Sequence, residues 1–217
     1  MIDFPEALRF EIAEPIDSAL QWLLINLEGL FDAISAIILT IFNGVVSFLG
    51  IIPWWLLIIM LFAAGWKLYS LKTGIMLSAM LFVIGLFGLW EMMIYTLVIV
   101  IISVFVSMLL GLPLGILMAK KELAMRIIMP ILDAMQTMPS FVYLIPAIMF
   151  FGFGKVPAVI ATTTYALPPL IRLTYLGIST VNKEVIEAGK SFGSTSRQML
   201  FKIEIPQALS TIMTGIN

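Results

Sequence analysis

The 217-residue chain contains no cysteine and no histidine, and charged residues make up only 12% of it. Without cysteine there are no disulfides, thiolate nucleophiles or iron–sulfur ligands, and most zinc sites disappear with the missing histidine. Histidine is also the side chain that most often serves as a general base near neutral pH. These absences argue against catalysis by the chain itself. A formal net charge of −1 gives no basic excess for nucleic acid. The opening residues Met1-Ile2-Asp3-Phe4-Pro5-Glu6 lack the positive n-region of a signal peptide. No repeat of fixed period and no low-complexity linker interrupts the chain.

What remains is apolar. Hydrophobic residues form 61% of the chain, its mean hydropathy is +1.11, and a soluble domain carries roughly twice the charge fraction. The reading is an all-α integral membrane protein in contact with the lipid bilayer. Charges divide it into uncharged runs at 33–66, 73–90, 92–119, 134–154 and 156–171. A span needs roughly 20 mostly apolar residues, which predicts five: about 51–70, 73–90, 92–119, 137–153 and 156–177. The third is long enough to tilt or to carry a kink at Pro113. Pro139 and Pro146 interrupt the fourth, and Pro168-Pro169 the fifth. Such breaks persist where neighbouring helices or a cavity satisfy the freed backbone groups.

Before the first of these spans, seven acids (Asp3, Glu6, Glu11, Glu14, Asp17, Glu28 and Asp32) face one base, Arg9. After Pro15, apolar residues fall at Leu20, Leu23, Leu24, Leu27, Phe31, Ile34, Ile38, Ile41 and Val45, with Asp17, Gln21, Glu28, Asp32 and Ser35 opposite. That is helical spacing. It predicts an amphipathic interfacial segment over 1–50, the alternative being a spanning helix with two acids at one end. An additional transmembrane pair follows over 51–91, and a core from 92 to 217.

One long polar interruption follows the last span. Residues 180–209 carry Lys183, Glu184, Glu187, Lys190, Arg197, Lys202 and Glu204 between hydrophobic segments. Val185, Ile186 and Phe192 give a first short helix an apolar stripe. Gly193 suits the left-handed conformation that ends it. Thr195 and Gln198 have capping-box spacing for a second helix, which carries Met199, Leu200 and Ile203 until Pro206 stops its pattern. A helix–glycine–helix elbow of this kind suits docking into another protein's groove and suits chemistry poorly. With five spans and this elbow in the cytoplasm, the N-terminus lies outside. Ten basic residues then fall on or near the cytoplasmic side (Lys67, Lys72, Lys120, Lys121, Arg126, Arg172, Lys183, Lys190, Arg197, Lys202), and Arg9 and Lys155 outside.

The elbow resembles the EAA loop of ABC importer permeases, whose pattern is E-A-A, three residues, G, nine residues, I-x-L-P. Here Glu187-Ala188-Gly189, Gly193 and Ile203-Glu204-Ile205-Pro206 keep every spacing. Gly189 stands where the family more often has alanine, and Ile205 where it has leucine. The resemblance implies a type I importer fold with further helices beyond Asn217. It also implies an ATPase-docking role for Glu187, Ala188, Gly189, Gly193, Arg197, Ile203 and Pro206. ATP and magnesium then bind a partner subunit, and this chain is a transport subunit, not an enzyme, with no cofactor or metal of its own. The implied assembly pairs two permease copies with two ATP-binding subunits and an extracytoplasmic substrate-binding protein or domain.

A second stretch narrows the resemblance. Asp133, Gln136-Thr137, Pro139, Phe141-Val142-Tyr143-Leu144, Phe151-Gly152-Phe153-Gly154 and Ala166-Leu167-Pro168-Pro169-Leu170-Ile171-Arg172-Leu173-Thr174 resemble the permeases of glycine betaine/proline-type osmoprotectant importers. This likeness covers about 92–217 and implies ATP-driven uptake of a compact zwitterion with a quaternary ammonium head. Read from the residues alone, Gln136, Thr137, Ser140, Tyr143 and the band Thr162-Thr163-Thr164-Tyr165 need partners, either a neighbouring helix or a wet cavity. The ring faces of Phe141, Tyr143 and Tyr165 suit a cation. The candidate path is Gln136, Thr137, Phe141, Tyr143, Thr163 and Tyr165. Asp133 is expected to cap a helix or pair with Arg126 or Arg172. The rivals are an importer of the same build for an amino acid or taurine, and a channel or ion-coupled carrier. The absence of a mid-span acid after Glu91 argues against the carrier.

Overall fold

A computed structural model describes residues 13–217, and among them every regular element is helical. Asp3, Glu6, Arg9 and Glu11 lie outside the described residues. The helices are α1 (Ala13–Asn26), α2 (Glu28–Gly50), α3 (Trp54–Leu68), α4 (Leu71–Leu86), α5 (Trp90–Lys120), α6 (Glu122–Thr137), α7 (Phe141–Phe151), α8 (Lys155–Ser179), α9 (Lys183–Ser191), α10 (Ser196–Met199) and α11 (Ile205–Ile216). A π-helical turn, Leu200–Glu204, joins the last two.

The amphipathic stretch expected as one helix is broken at Leu27. Its apolar stripe is the packed side: Leu20, Leu23, Leu24, Leu27, Phe31, Ile34, Ile38 and Val45 are all half-buried. Phe42, absent from that stripe, is the best-buried residue of α2 and packs on Ile94, Val98, Ile102 and Val159, while Ile41 points out. By length and composition α2 and α5 are fit to cross a membrane. The pair expected at 51–70 and 73–90 is an antiparallel hairpin of shorter helices, 15 and 16 residues. Its two backbones meet at glycines: a methyl on Gly65 would lie 2.9 Å from the Cα of Gly74. Ser70 caps α4 by accepting from the Thr73 amide at 3.2 Å.

The core is the seam between α5 and α8. Ser103 donates to the Val159 carbonyl at 3.2 Å and Ser107 to that of Thr163 at 3.4 Å. Further along, Gly111 lies against Leu170, and Gly115 against Thr174 and the Ile171 carbonyl. Ser103, Ser107, Gly111 and Gly115 recur every fourth residue, the small-residue stripe that lets membrane helices touch. Because both sequences climb together along it, α5 and α8 run parallel. The chain between Lys120 and Lys155 must therefore travel back the length of the seam. The bent pair α6–α7 makes that return. Of the span expected at 137–153 with interruptions at Pro139 and Pro146, only the break at Pro139 is present: Pro146 lies within α7, and α6 and α7 meet at 96°. The break falls at Met138-Pro139-Ser140, where the ring of Pro139 disfavours helix at the residue before it. Lys155 opens α8 with its ammonium over the rings of Phe42 and Tyr95, 4.7 and 4.4 Å from their centroids.

Candidate functional site

Two places gather the residues singled out by the sequence, an elbow and a cavity. The elbow begins at Asn182, whose side chain accepts from the Glu184 amide at 2.9 Å and caps α9. Gly193 takes φ +75°. Its amide reaches the Lys190 carbonyl and the Ser194 amide that of Gly189, the paired bonds of a Schellman ending. Thr195 and Gln198 complete a capping box: Gln198 N donates to Thr195 Oγ1 at 3.3 Å, and Thr195 N to Gln198 Oε1 at 2.9 Å. The chain thus reverses within a few residues.

Side chains of the elbow fall into two sets. Glu187, Ala188 and Arg197 face outward, whereas Gly189 is buried and Ile203 half-buried. A methyl on Gly189 would sit 2.7 Å from Ile203 Cδ1 and 2.8 Å from Met199 Cε, so the glycine lets α9 lie on the following turn. Two expectations change. Phe192 leaves the stripe of Val185 and Ile186 and is 90% exposed, because it caps α9 where the chain already turns away. Pro206 does not stop the second helix but lies in the first turn of α11. A first-turn proline lacks only an N–H that has little to bond. Glu204, expected only as one charge of the polar stretch, is buried and paired with Lys120 at the end of α5. Its signal was spacing, since Leu200, Glu204, Ala208 and Ile212 recur every fourth residue and form one packed face.

A cavity of about 930 Å³ lies inside the α6–α7 bend against α8, lined by Gln136, Thr137, Ser140, Phe141, Thr162 and Tyr165 among others. Among the described residues no charged side chain lines it. The polar band of α8 divides by helical angle. Thr162 and Tyr165 face the cavity, Thr163 is buried at the α5 seam, and Thr164 donates to the Ile160 carbonyl at 2.8 Å. Thr163 therefore does not face the cavity with its neighbours. Nor does Tyr143, whose hydroxyl donates back to the Met135 carbonyl and ties α7 to the end of α6. Asp133, one turn from Gln136 and Thr137, pairs with Arg172, while Arg126 takes Glu122 at 2.6 Å. Among the described residues no group of three or more acidic side chains gathers to hold a metal.

Residues 111–216 match the family model described as the binding-protein-dependent transport system inner membrane component. The glycine betaine transport system permease protein OpuAB of Bacillus subtilis is 43% identical over 96% of this chain and 74% of its own length. The chain belongs to that family. It is a transmembrane permease of an ABC importer, a transport subunit and not an enzyme. Glycine betaine/carnitine transport permease GbuB of Listeria monocytogenes is 43% identical over 98% of the permease and 77% of its own length. Glycine betaine/proline betaine transport permease ProW of Escherichia coli is 41% identical over 94%, and the permease spans 58% of that relative. The family match runs from the last third of α5 into α11, so it includes the bend, the cavity, the elbow and the Gly111 and Gly115 part of the seam.

Proposed function

We propose that the permease moves compact solutes with a quaternary nitrogen, glycine betaine first among them, through the cavity inside the α6–α7 bend. The uncharged, aromatic-faced lining of that cavity carries the reading. A fully substituted nitrogen has no N–H to donate, so it is recognised through ring faces, here those of Phe141 and Tyr165. The carboxylate of a zwitterion accepts from the Gln136 amide and the hydroxyls of Thr137, Ser140 and Thr162. About 930 Å³ lies within the usual range of small-molecule sites, roughly 300–1,000 Å³. Neutral polar groups hold the solute weakly enough to release it, as a path requires. Glycine betaine, proline betaine and carnitine, named in the relatives, share that nitrogen.

In this proposal the elbow at 183–206 faces the cytoplasm and docks an ATP-hydrolysing subunit through Glu187, Ala188 and Arg197. Gly189, Gly193, Ile203 and Pro206 shape the loop. Lys67, Lys72, Lys120, Lys121, Arg126 and Arg172 share the cytoplasmic side, in keeping with the bias of basic residues. Two permease copies work with two ATPase subunits and an external substrate-binding protein or domain. Helix α1 lies in the interface, the 54–86 hairpin is an added pair, and α5 onward is the core. ATP binding shifts the equilibrium between two states because the partner contacts the elbow differently in each.

Uptake of labelled glycine betaine into vesicles holding the permease with its ATPase and binding protein tests this. The expected result is ATP-dependent uptake, competed by carnitine and proline betaine and not by taurine. Taurine uptake without glycine betaine uptake would overturn the substrate class. Uptake with no ATPase present would overturn the energy source.

A further inference from the structure

The structure assigns to the Lys120–Glu204 ion pair the task of passing the elbow's movement to α5. This rests on the proposed docking of an ATPase at the elbow. Glu204 closes the π-helical turn and is 4% exposed. Its carboxylate meets the ammonium of Lys120, the last residue of α5, 84 positions earlier. A buried carboxylate is costly unless paired, and a purely structural joint would do as well with an apolar residue of similar size. The flanking face is such a joint: Ala208 and Ile212 pack with Ile178, Leu112, Ile116, Ala119 and Leu200. One buried carboxylate amid that face, met by the partly exposed Lys120, makes the contact specific for a single partner and a single register, the best-attested use of ion pairs set into an apolar contact.

Two further features fit the task. Lys120 ends α5, where the helix dipole favours a cation. Glu204 is presented by a π turn, in which the Ile205 amide reaches back to the Leu200 carbonyl. Spacing by fours drifts about 40° per step on an ideal α-helix, and the wider turn takes up part of that drift, keeping Glu204 on the buried face.

The connectivity explains why a second attachment is needed. α8 runs directly into the elbow through Thr180-Val181-Asn182, so any displacement of α9 already pulls on α8. α5 has no such link in the chain. The ion pair supplies it, and the Ser103, Ser107, Gly111 and Gly115 seam then moves with α8 as one body instead of shearing. Because Thr162 and Tyr165 of α8 line the cavity, the motion arrives there with the seam intact.

The test uses the complete assembly, with its ATPase and binding protein, in lipid vesicles. Glu204→Gln and Lys120→Gln are compared with the charge exchange K120E/E204K. The readouts are ATPase co-purification, basal hydrolysis and stimulation of hydrolysis by glycine betaine. The expected result is retained ATPase and basal hydrolysis, stimulation reduced by about tenfold, the size of a typical coupling between sites, and partial recovery in the exchange. Stimulation equal to that of the unaltered assembly in both single variants would overturn the role. So would loss of the ATPase itself that the exchange does not restore, since the pair would then be only a folding contact. An unaltered permease that retains no ATPase would instead refute the docking reading, independently of Glu204.

Discussion

Gly115 and Thr174 approach so closely that a methyl group on the glycine would lie 2.5 Å from the threonine Cβ. The Ile171 carbonyl would be 2.8 Å away. Neither neighbour is the loose end of a flexible side chain, so accommodation requires the two helices to separate. The α5–α8 seam is thus set at backbone distance by the residue that has no side chain.

Gly115→Ala is accordingly expected to destabilise the permease by about 1–3 kcal/mol, the cost of overpacking a fitted contact. Gly44, inside α2, would place its methyl in open space. Gly44→Ala should leave stability unchanged or raise it slightly, because alanine loses less chain entropy on helix formation. Thermal unfolding of the purified protein in one detergent separates the two. Equal melting temperatures would show that the seam is not fitted as described.

Tyr143 holds the 96° bend by bonding to the Met135 carbonyl, one of the unpaired acceptors at the end of α6. Tyr143→Phe removes only that bond, for about 0.5–1.5 kcal/mol. The expected outcome is a broader bend at nearly unchanged helix content. Because the chain has no cysteine, cysteines introduced at the exposed Ile127 and Ile145 can carry spin labels without background. A distance distribution as narrow as that of the parent would argue that the proline break alone sets the angle.

If the ring faces of the cavity hold the solute, Tyr165→Ala and Phe141→Ala raise the half-saturating concentration roughly 2- to 30-fold, the range of a cation–π contact. Tyr165→Phe keeps the face and should retain most of the affinity. Thr163→Val, at the seam and away from the cavity, should leave the half-saturating concentration where it was. Transport assays on these four variants compare a ring with a hydroxyl and the cavity with the seam. Indifference to both alanine variants would move the solute elsewhere.

Glu187 stands on the outward face of α9, one turn from Lys183 and Ser191. If the elbow docks an ATPase as proposed, Glu187→Arg reverses the charge offered to it without disturbing the buried contacts of Gly189. Solute-stimulated hydrolysis is expected to vanish while the assembly stays measurable by co-purification. Transport at the parental rate would count against the docking role.

The apolar runs and the fixed spacings of the elbow needed no coordinates, because they rest on local chemistry. Twenty uncharged residues cannot remain in water, Gly193 tolerates a left-handed φ, and Thr195 with Gln198 satisfies a helix start wherever the helix lies. Periodicity also marked the packed stripe from Leu20 to Val45. It could not mark Phe42, which is buried through its contacts with α5 and α8, elements far away in the chain. The division of Thr162, Thr163 and Tyr165 between cavity and seam was equally out of reach. Adjacent residues on a helix point about 100° apart, and which direction faces a void depends on where the neighbouring helices stand.

By itself, the sequence determined a helical membrane permease with a jointed elbow, since burial of apolar side chains and capping of helix ends are decided over a few turns. Only the tertiary structure decided that α5 and α8 run parallel, that α6 and α7 fold back to leave a cavity, and that Lys120 meets Glu204. Those outcomes depend on which surfaces fit at backbone distance between elements far apart in the chain, and shape complementarity of that kind is a property of pairs of elements rather than of either alone.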